Sequence, residues 1–223
     1  MLQVLKVIWQ SDGTFPSGSF AFSYGIEGLV AAGALADPKS LQRLIETILR
    51  HRWVSFDRVA LVQAYRANGN LADIARIDRG VEAATFGDGL RSGSKRNGAS
   101  FLATHCKLGT PTAVEIRNAV RQRKMLGHIA VMQGAIWRAM NLDEKTAQAA
   151  SAYVSVAGAA STAVRLGVVG ALQAQIVLGE SLPLIDKLID QDVADDDPLS
   201  SFTPFLDIAS ARHDRSDLRL FAN

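Results

Sequence analysis

The sequence predicts an all-α fold, a single-domain bundle of roughly ten helices followed by a C-terminal tail. Apolar residues recur every three or four positions along most of the chain, which is the spacing of residues on one helix face. Several of these runs begin after Asp, Asn or Thr and end at Gly, as helices do at their caps. No stretch shows the regular apolar–polar alternation of a half-buried strand.

The composition fits one large globular domain without a strong net field. The 223 residues are 48% hydrophobic, enough to bury a sizeable core. Lys and Arg number 24 against 22 Asp and Glu, so we expect neither nucleic acid nor a membrane surface as a partner. The single cysteine, Cys106, excludes an internal disulfide, and residues 1–13 lack the charged and cleavable ends of a signal peptide. A cytoplasmic location is therefore expected.

The chain begins with a short apolar segment, residues 2–9. Its apolar residues have helical spacing and are Val4, Leu5, Ile8 and Trp9. We expect this segment to pack beneath the helix that follows.

Residues 12–33 open as a Gly/Pro/Ser turn and continue as an apolar run, which predicts a helix over about residues 19–32. One face of that helix is expected in the core and carries Phe22, Ile26, Leu29 and Val30. The second face carries Phe20, Tyr24 and Ala31, with Glu27 among them. A helix with two apolar faces must be covered on both, so we expect Phe20, Tyr24 and Glu27 to meet a partner.

Three helices are predicted between residues 37 and 81. Asp37 and Pro38 form a strong start signal for the first of them. The next is predicted over about residues 55–67 and ends at Asn68-Gly69, and another begins at Asn70.

Residues 86–99 are rich in glycine and basic residues, and they predict either a solvated loop or a weak, interrupted helix. A phosphate-binding P-loop is the alternative. It fails because Ser94 separates Gly93 from Lys95 and no strand precedes the segment.

A further helix is predicted to start at Thr112, whose side chain can form a capping box with Glu115. Its basic residues are Arg117, Arg121, Arg123 and Lys124. They lack interleaved aromatic residues, so they indicate a solvated face more than an RNA site.

Residues 127–141 predict a helix, and Asp143 can cap the next one. Residues 147–170 are mainly Ala, Ser, Gly, Val and Thr, and such small side chains favour the central helix of a bundle. Residues 146–164 are long enough to span a bilayer, but their Ser, Thr and Gln content favours a buried soluble helix. Arg165 either extends from this helix to water or is presented to a carboxylate, and both interpretations remain open.

The C-terminal part changes character after a helix through residues 182–189. Its acidic residues and proline predict a solvated linker over residues 191–203, between a domain of residues 1–190 and a tail of residues 204–223. The tail's polar residues include Arg212, His213 and Arg219. We expect the tail to have little to pack against in its own domain and to become ordered on a partner.

The chain offers few residues for catalysis. It has no HExxH, no paired CxxC and no G-x-S-x-G motif, and its four histidines are scattered. His105 and Cys106 are adjacent and so point apart on a helix; we expect His105 to be exposed and Cys106 to be a small core residue. We therefore predict no catalytic, metal-ligating or cofactor-binding residue, and an interaction protein is favoured over an enzyme.

Four segments resemble those of a known family, in the family's order. Residues 16–27, PSGSFAFSYGIE, resemble the pattern P-x-G-x-[FY]-x-x-S-x-G-[LI]-E of the urease accessory protein UreF family. Residues 127–134 resemble its G-H-x-x-x-x-x-G segment, residues 163–170 its basic, glycine-broken helix, and residues 211–221 its A-R-H-[ED]-x-x-x-x-R-L-F ending. One departure is Gly170-Ala171, where the family often has Gly-Gln, and residues 86–99 have fewer helix formers than their counterparts.

The resemblance implies an all-α chaperone component, not an enzyme, that acts in nickel insertion into urease. It implies a homodimer that bridges UreD, also called UreH, to the GTPase UreG in an assembly on apo-urease. It makes Glu27 and Arg165 candidate UreG contacts that tune GTP use, and Arg212, His213 and Arg219 candidate UreD contacts. The alternatives are a metallochaperone that binds nickel itself, a helical enzyme and an unrelated helical adaptor.

Overall fold

The structure is a computed structural model of the chain, and it describes residues 1–17 and 23–213, except the side chains of Arg212 and His213. Throughout these ranges the regular secondary structure is helical and no strand occurs, which confirms the predicted all-α class. In chain order the elements are α1 (Leu2–Ser11), α2 (Ile26–Ala31), α3 (Pro38–Ile48), the π-helical segment Leu49–Asp57, α4 (Arg58–Arg66), α5 (Leu71–Ala84), α6 (Asp88–Lys107), α7 (Ala113–Arg121), α8 (Ile129–Ala139), α9 (Glu144–Arg165), α10 (Ala171–Ile189) and α11 (Pro204–His213). No helix within the described ranges is both long enough and apolar enough to cross a membrane.

Three of the predicted helix starts are confirmed by their caps. The Asp37 carboxylate accepts the Ser40 N–H (2.7 Å), and the Ser40 hydroxyl accepts the Asp37 N–H (2.9 Å), ahead of α3. The Asn70 side chain accepts two backbone N–H groups of α5. Asp143 accepts the Thr146 N–H (2.8 Å) at the start of α9. Each bond pairs an N–H group that has no partner within the helix.

The predicted helix start near residue 55 is wrong, because the chain stays helical from α3 through the π-helical segment into α4. A π-helical segment adds residues to each turn and so changes which face they present. Here it turns both Trp53 and Phe56 into the core, where each is fully buried. The Trp53 Nε1–H donates to the Ser151 hydroxyl on α9 (3.2 Å).

The core has two parts, and among the described elements α9 contacts the π-helical segment and the helices α1, α2, α3, α4, α8 and α10. One part surrounds α4 and α8, and the other lies among α3, α9 and α10. The predicted central position of α9 is therefore confirmed. Small residues permit the close crossings: a side chain at Gly134 of α8 would collide with the Leu61 carbonyl of α4.

Of the two forms that the sequence allows for residues 86–99, the structure shows the helix, because α6 covers residues 88–107. Gly98 is buried against the Gly127 carbonyl, at a distance that leaves no room for a Cβ. Glycine weakens a helix by about 1 kcal/mol relative to alanine. Here the packing that the missing side chain permits outweighs this local cost.

The expectation that His105 is exposed is wrong, whereas Cys106 packs against the first part of the core, as expected of a small core residue. His105 is fully buried, with its ring nitrogens 2.8 Å from the Thr110 hydroxyl and 3.2 Å from the Gln10 amide oxygen. Cys106 is partly exposed. Burial lowers the pKa of His105 to about 4, so the ring is neutral at pH 7.

The predicted capping box at Thr112 is also wrong. Thr112 has φ 62°, in the left-handed region, and no side-chain bond caps α7. Backbone in this conformation does not place the hydroxyl at the first free N–H groups of the helix.

Helix α1 does not pack through the apolar residues that the sequence places on its inner face. Those residues are all exposed: Val4, Leu5, Ile8 and Trp9. Instead Gln10 is buried and its amide oxygen accepts the Trp137 Nε1–H (3.0 Å), while Lys6 donates to the Met140 carbonyl (2.6 Å). Polar anchors therefore fix α1 and leave its apolar face outward.

We expected the C-terminal part to have little to pack against in its own domain. For its described residues, which end at 213, this expectation is wrong. Arg58 donates to the Ile189 carbonyl (3.0 Å), and the Ser200 and Phe202 N–H groups donate to the carbonyls of residues 55 and 51 (2.9 and 2.8 Å). Helix α11 then packs on α2, with Leu206 in the second part of the core. The division at residues 190 and 203 stays a prediction from composition.

Candidate partner-binding site

The helix predicted over about residues 19–32 contains a turn at residues 24 and 25, within its described part. Tyr24 (φ 51°) and Gly25 (φ 86°) are both left-handed, and α2 starts only at Ile26. A right-handed helix cannot pass through two such residues. Phe20 and Phe22 lie outside the described residues. Tyr24 therefore does not share a helix face with Glu27, contrary to the prediction.

This turn is explained by α11, which lies directly on two glycines. A Cβ at Gly25 would stand 2.6 Å from the Leu206 carbonyl oxygen, and a Cβ at Gly28 would stand 2.5 Å from that of Ala209. No other residue type permits so close an approach of two backbones. The turn at residues 24 and 25, α2 (Ile26–Ala31) and α11 (Pro204–His213) thus form one unit, which we call the α2–α11 unit.

Glu27 lies in the first turn of α2 and is partly buried. The N-terminus of a helix favours a negative charge, because its free N–H groups carry partial positive charge. Ile26 and Leu29, which flank Glu27 in the sequence, are buried, as predicted. Glu27 therefore stands at the edge of the core, on a helix that also contacts α9.

The contacts of Tyr24 lie mainly inside the molecule. Its hydroxyl is bonded by the Asn97 amide of α6, and its ring lines a cavity of about 190 Å³. Arg52 and Asp57, which form an ion pair at 3.1 Å, line the same cavity. Burial, together with the charge of Asp57, raises the pKa of Tyr24, so its hydroxyl stays protonated.

Arg165 is the last residue of α9 and is exposed. The chain turns at Gly167 (φ 71°) immediately after it. A cation at a helix C-terminus interacts favourably with the helix dipole. This position leaves the guanidinium accessible from outside the bundle.

The tail residues are only partly described. Arg212 and His213 lie in the last turn of α11, and Arg219 lies outside the described residues. The structure adds a feature that the sequence analysis missed, an exposed apolar face formed by Phe202, Phe205 and Ile208, which are 75%, 77% and 52% exposed. These residues recur every three positions and alternate with the buried Leu206 and Ala209, a pattern that was visible in the sequence.

His128, in the segment that resembles the family's G-H motif, has a structural role. Its ring nitrogens lie 2.7 Å from the Glu82 carboxylate and 3.1 Å from the Ser94 hydroxyl. Asp78 accepts the backbone N–H groups of residues 126–128. Burial lowers the pKa of His128 although both carboxylates oppose this. Together these bonds join α5, α6 and the start of α8.

A metal-binding cluster does not occur in the described part of the chain, where no three His, Cys, Asp or Glu side chains come together. The geometry therefore offers contact surfaces, the α2–α11 unit above all, and not a preformed ligand set.

Comparison with known proteins agrees with the motifs. A family model described as UreF matches residues 35–182. The chain is 30% identical to "Urease accessory protein UreF" of Trichodesmium erythraeum (strain IMS101), over 98% of this chain and 96% of the relative. It is 27% identical to the protein of the same description from Bacillus sp. (strain TB-90), over 99% of each chain. A third, from Actinobacillus pleuropneumoniae serotype 3 (strain JL03), is 27% identical over 94% of each chain.

Proposed function

Because the chain belongs to the UreF family of urease accessory proteins, we propose that it bridges UreD (UreH) to the GTPase UreG while nickel is inserted into apo-urease. In this role it makes contacts and catalyses no reaction, and nickel is the cargo of the assembly. The observation that carries the proposal is the α2–α11 unit. It joins the segment whose motif implies UreG binding to the helix that leads into the segment whose motif implies UreD binding.

The UreG contact is assigned to Glu27 on α2 and Arg165 at the end of α9. One carries a negative and the other a positive charge, and their helices touch. A partly buried carboxylate covered by a partner needs a cation or hydrogen-bond donor there, so it selects one docked arrangement. Through these contacts UreG is held in a state that tunes its use of GTP.

This contact is tested by Glu27→Ala, with Glu46→Ala at an exposed position of α3 as the matched control. We expect Glu27→Ala to weaken co-purification with UreG and to lower urease activation, and Glu46→Ala to do neither. GTP hydrolysis by UreG in the assembled complex is measured in parallel. Wild-type binding and activation with Glu27→Ala would rule out this assignment.

The UreD contact is assigned to the exposed face of α11. Phe205 is 77% exposed although the opposite side of the helix is buried, and an apolar patch of this kind marks an interaction surface. Arg212, His213 and Arg219 extend the same C-terminal segment and supply its polar contacts. Aromatic and arginine residues are enriched at the energetic centres of protein interfaces.

The test of the UreD contact leaves the buried side of α11 intact. Phe205→Asp/Ile208→Asp should fold normally and fail to co-purify with UreD. Phe86→Asp is the matched control, because Phe86 is 76% exposed in the turn before α6. Retention of UreD by the double variant would refute the assignment, whereas its loss with Phe86→Asp would point to a general effect of added charge.

We assign homodimer formation to the outer face of α10. Leu172 and Ile176 lie one turn apart on it and are 76% and 53% exposed. Light scattering tests this assignment: the purified chain should have the mass of a dimer, and Leu172→Glu/Ile176→Glu that of a monomer. A wild-type monomer, or a variant that remains dimeric, would contradict it. The cytoplasm is the proposed location of the complex.

A further inference from the structure

Residues 107–124, which we call the basic corner, concentrate positive charge. They contain five cations, Lys107, Arg117, Arg121, Arg123 and Lys124, and one acid, Glu115. Their net charge is thus +4, whereas the whole chain carries +2. The rest of the chain is therefore slightly acidic, and the basic corner is a local feature.

The basic corner has an ordered outer face. Helix α7 buries Ala113 and Ile116 and presents Val114, Arg117 and Arg121 on the opposite side, three and four positions apart. Val114 is 56% exposed, and Leu108, in the preceding turn, is 48% exposed. Cations and aliphatic side chains therefore share one surface.

The charges of this corner are not neutralised within the described molecule. Several cations elsewhere are paired, as Arg66 is with Glu144 (2.8 Å) and Lys95 with Glu82 (2.8 Å). None of the five cations of the basic corner takes part in an ion pair with a described residue. Their field is directed outward and is available to a partner of opposite charge.

We propose that the basic corner is a docking surface for an acidic protein, distinct from the UreG and UreD contacts. Arg117 and Arg121 are four positions apart on α7, so their Cβ atoms are roughly 6 Å apart. Two carboxylates one helical turn apart on a partner helix match that spacing, and an apolar side chain one turn beyond the carboxylate that pairs with Arg117 meets Val114.

The composition favours a protein over a nucleic acid. Residues 107–124 contain no Phe, Trp or Tyr on which a base could stack. They instead expose Val114 and Leu108, which gain from burial against an apolar residue. Arginine beside aliphatic residues is typical of protein interfaces.

Anisotropy titrations of the full chain test the proposal with three labelled probes. The first is a helical peptide with Glu pairs one turn apart and a Leu on the same face. The second is that peptide with Ser in place of Leu, and the third is a single-stranded DNA of equal charge. We expect the Leu peptide to bind more tightly than the other two.

The decisive variant is Arg117→Glu/Arg121→Glu, with Arg43→Glu/Arg50→Glu on exposed positions elsewhere as the matched control. The first should weaken binding of the Leu peptide about tenfold or more, and the control should leave it unchanged. Val114→Ser, a mild surface change, should weaken only the Leu peptide and remains informative if the charge reversal does not fold. Equal binding by all variants, or DNA bound as tightly through the same arginines, would overturn the proposal.

Discussion

The absence of a single Cβ atom decides how closely α2 and α11 can approach each other. Gly28 has no room for a Cβ, which would lie 2.5 Å from the Ala209 carbonyl oxygen. Gly158, on α9, has nothing within 4 Å of its Cβ position. The same Gly→Ala substitution is thus expected to have opposite effects at these two positions.

We predict that Gly28→Ala destabilises the fold by about 1–3 kcal/mol, because α11 must move away from α2. Gly158→Ala should be neutral or stabilise by up to about 1 kcal/mol, since alanine is the better helix former. Urea unfolding midpoints measure both. Equal midpoints for the two variants would contradict the close contact between α2 and α11.

A buried histidine predicts how stability depends on pH. The pKa of His105 falls from 6.5 in the unfolded chain to about 4 in the fold, because burial disfavours the imidazolium. Between these values the unfolded chain binds more protons, so the free energy of unfolding decreases as pH falls. The loss reaches about 3 kcal/mol at pH 4.

Replacing the His105 imidazole tests how much this residue contributes to the pH dependence of stability. His105→Gln should flatten the dependence of stability on pH between pH 6.5 and pH 4, whatever its effect at pH 7. His51→Gln, at an exposed position, serves as the control and should keep the wild-type slope. An unchanged slope in His105→Gln would show that the ring is not held neutral by burial.

At the scale of elements, sequence patterns predicted helices well where the caps are local. Asp37, Asn70 and Asp143 each bond N–H groups within three residues, so nearby sequence is sufficient. The pattern could not decide between loop and helix in α6, because Gly98 gains from a contact with Gly127, which is distant in sequence. The helix was predicted correctly at α1, but its buried face was not, since Gln10 is buried with a hydrogen bond to Trp137. Such contacts cannot be inferred from periodicity.

We call residues 190–203, between α10 and α11, the C-terminal connection. Of all the elements, this one differs most from its prediction, which was a solvated linker. Asp195 remains solvated, as its acidic neighbourhood indicates, but it pairs with Arg66 at 2.6 Å. The Phe202 N–H is held by the His51 carbonyl at 2.8 Å. The acidic composition thus correctly predicts that the Asp195 side chain is exposed. It cannot reveal the hydrogen bond of the Phe202 backbone N–H.

Hydrogen exchange tests this connection in the isolated chain. We expect the amides of Ser200 and Phe202 to exchange much more slowly than an unstructured peptide, because each is bonded to the π-helical segment. The amide of Gly13, in the turn after α1, provides an exposed comparison. Exchange of all three at the rate of a random coil would mean that the connection is a free linker.

At the scale of the whole molecule, the described residues form a helical bundle in which no three His, Cys, Asp or Glu side chains come together as a metal site. The all-α class and the central position of α9 could be predicted from small residues and apolar spacing. The α2–α11 unit could not, because it joins residues about 180 positions apart through glycine contacts that leave no periodic pattern. The family motifs draw attention to residues 16–27 and 211–221, but they do not indicate that α2 and α11 are in contact.

The central claim is that this chain connects UreD to UreG. It is tested most directly by light scattering of size-exclusion peaks from UreD and UreG mixed with and without the purified chain. We predict a single ternary complex with the chain present, two separate proteins without it, and a complex lacking UreD with Phe205→Asp/Ile208→Asp. A stable UreD–UreG complex formed in the absence of the chain, or no ternary complex in its presence, would contradict the claim.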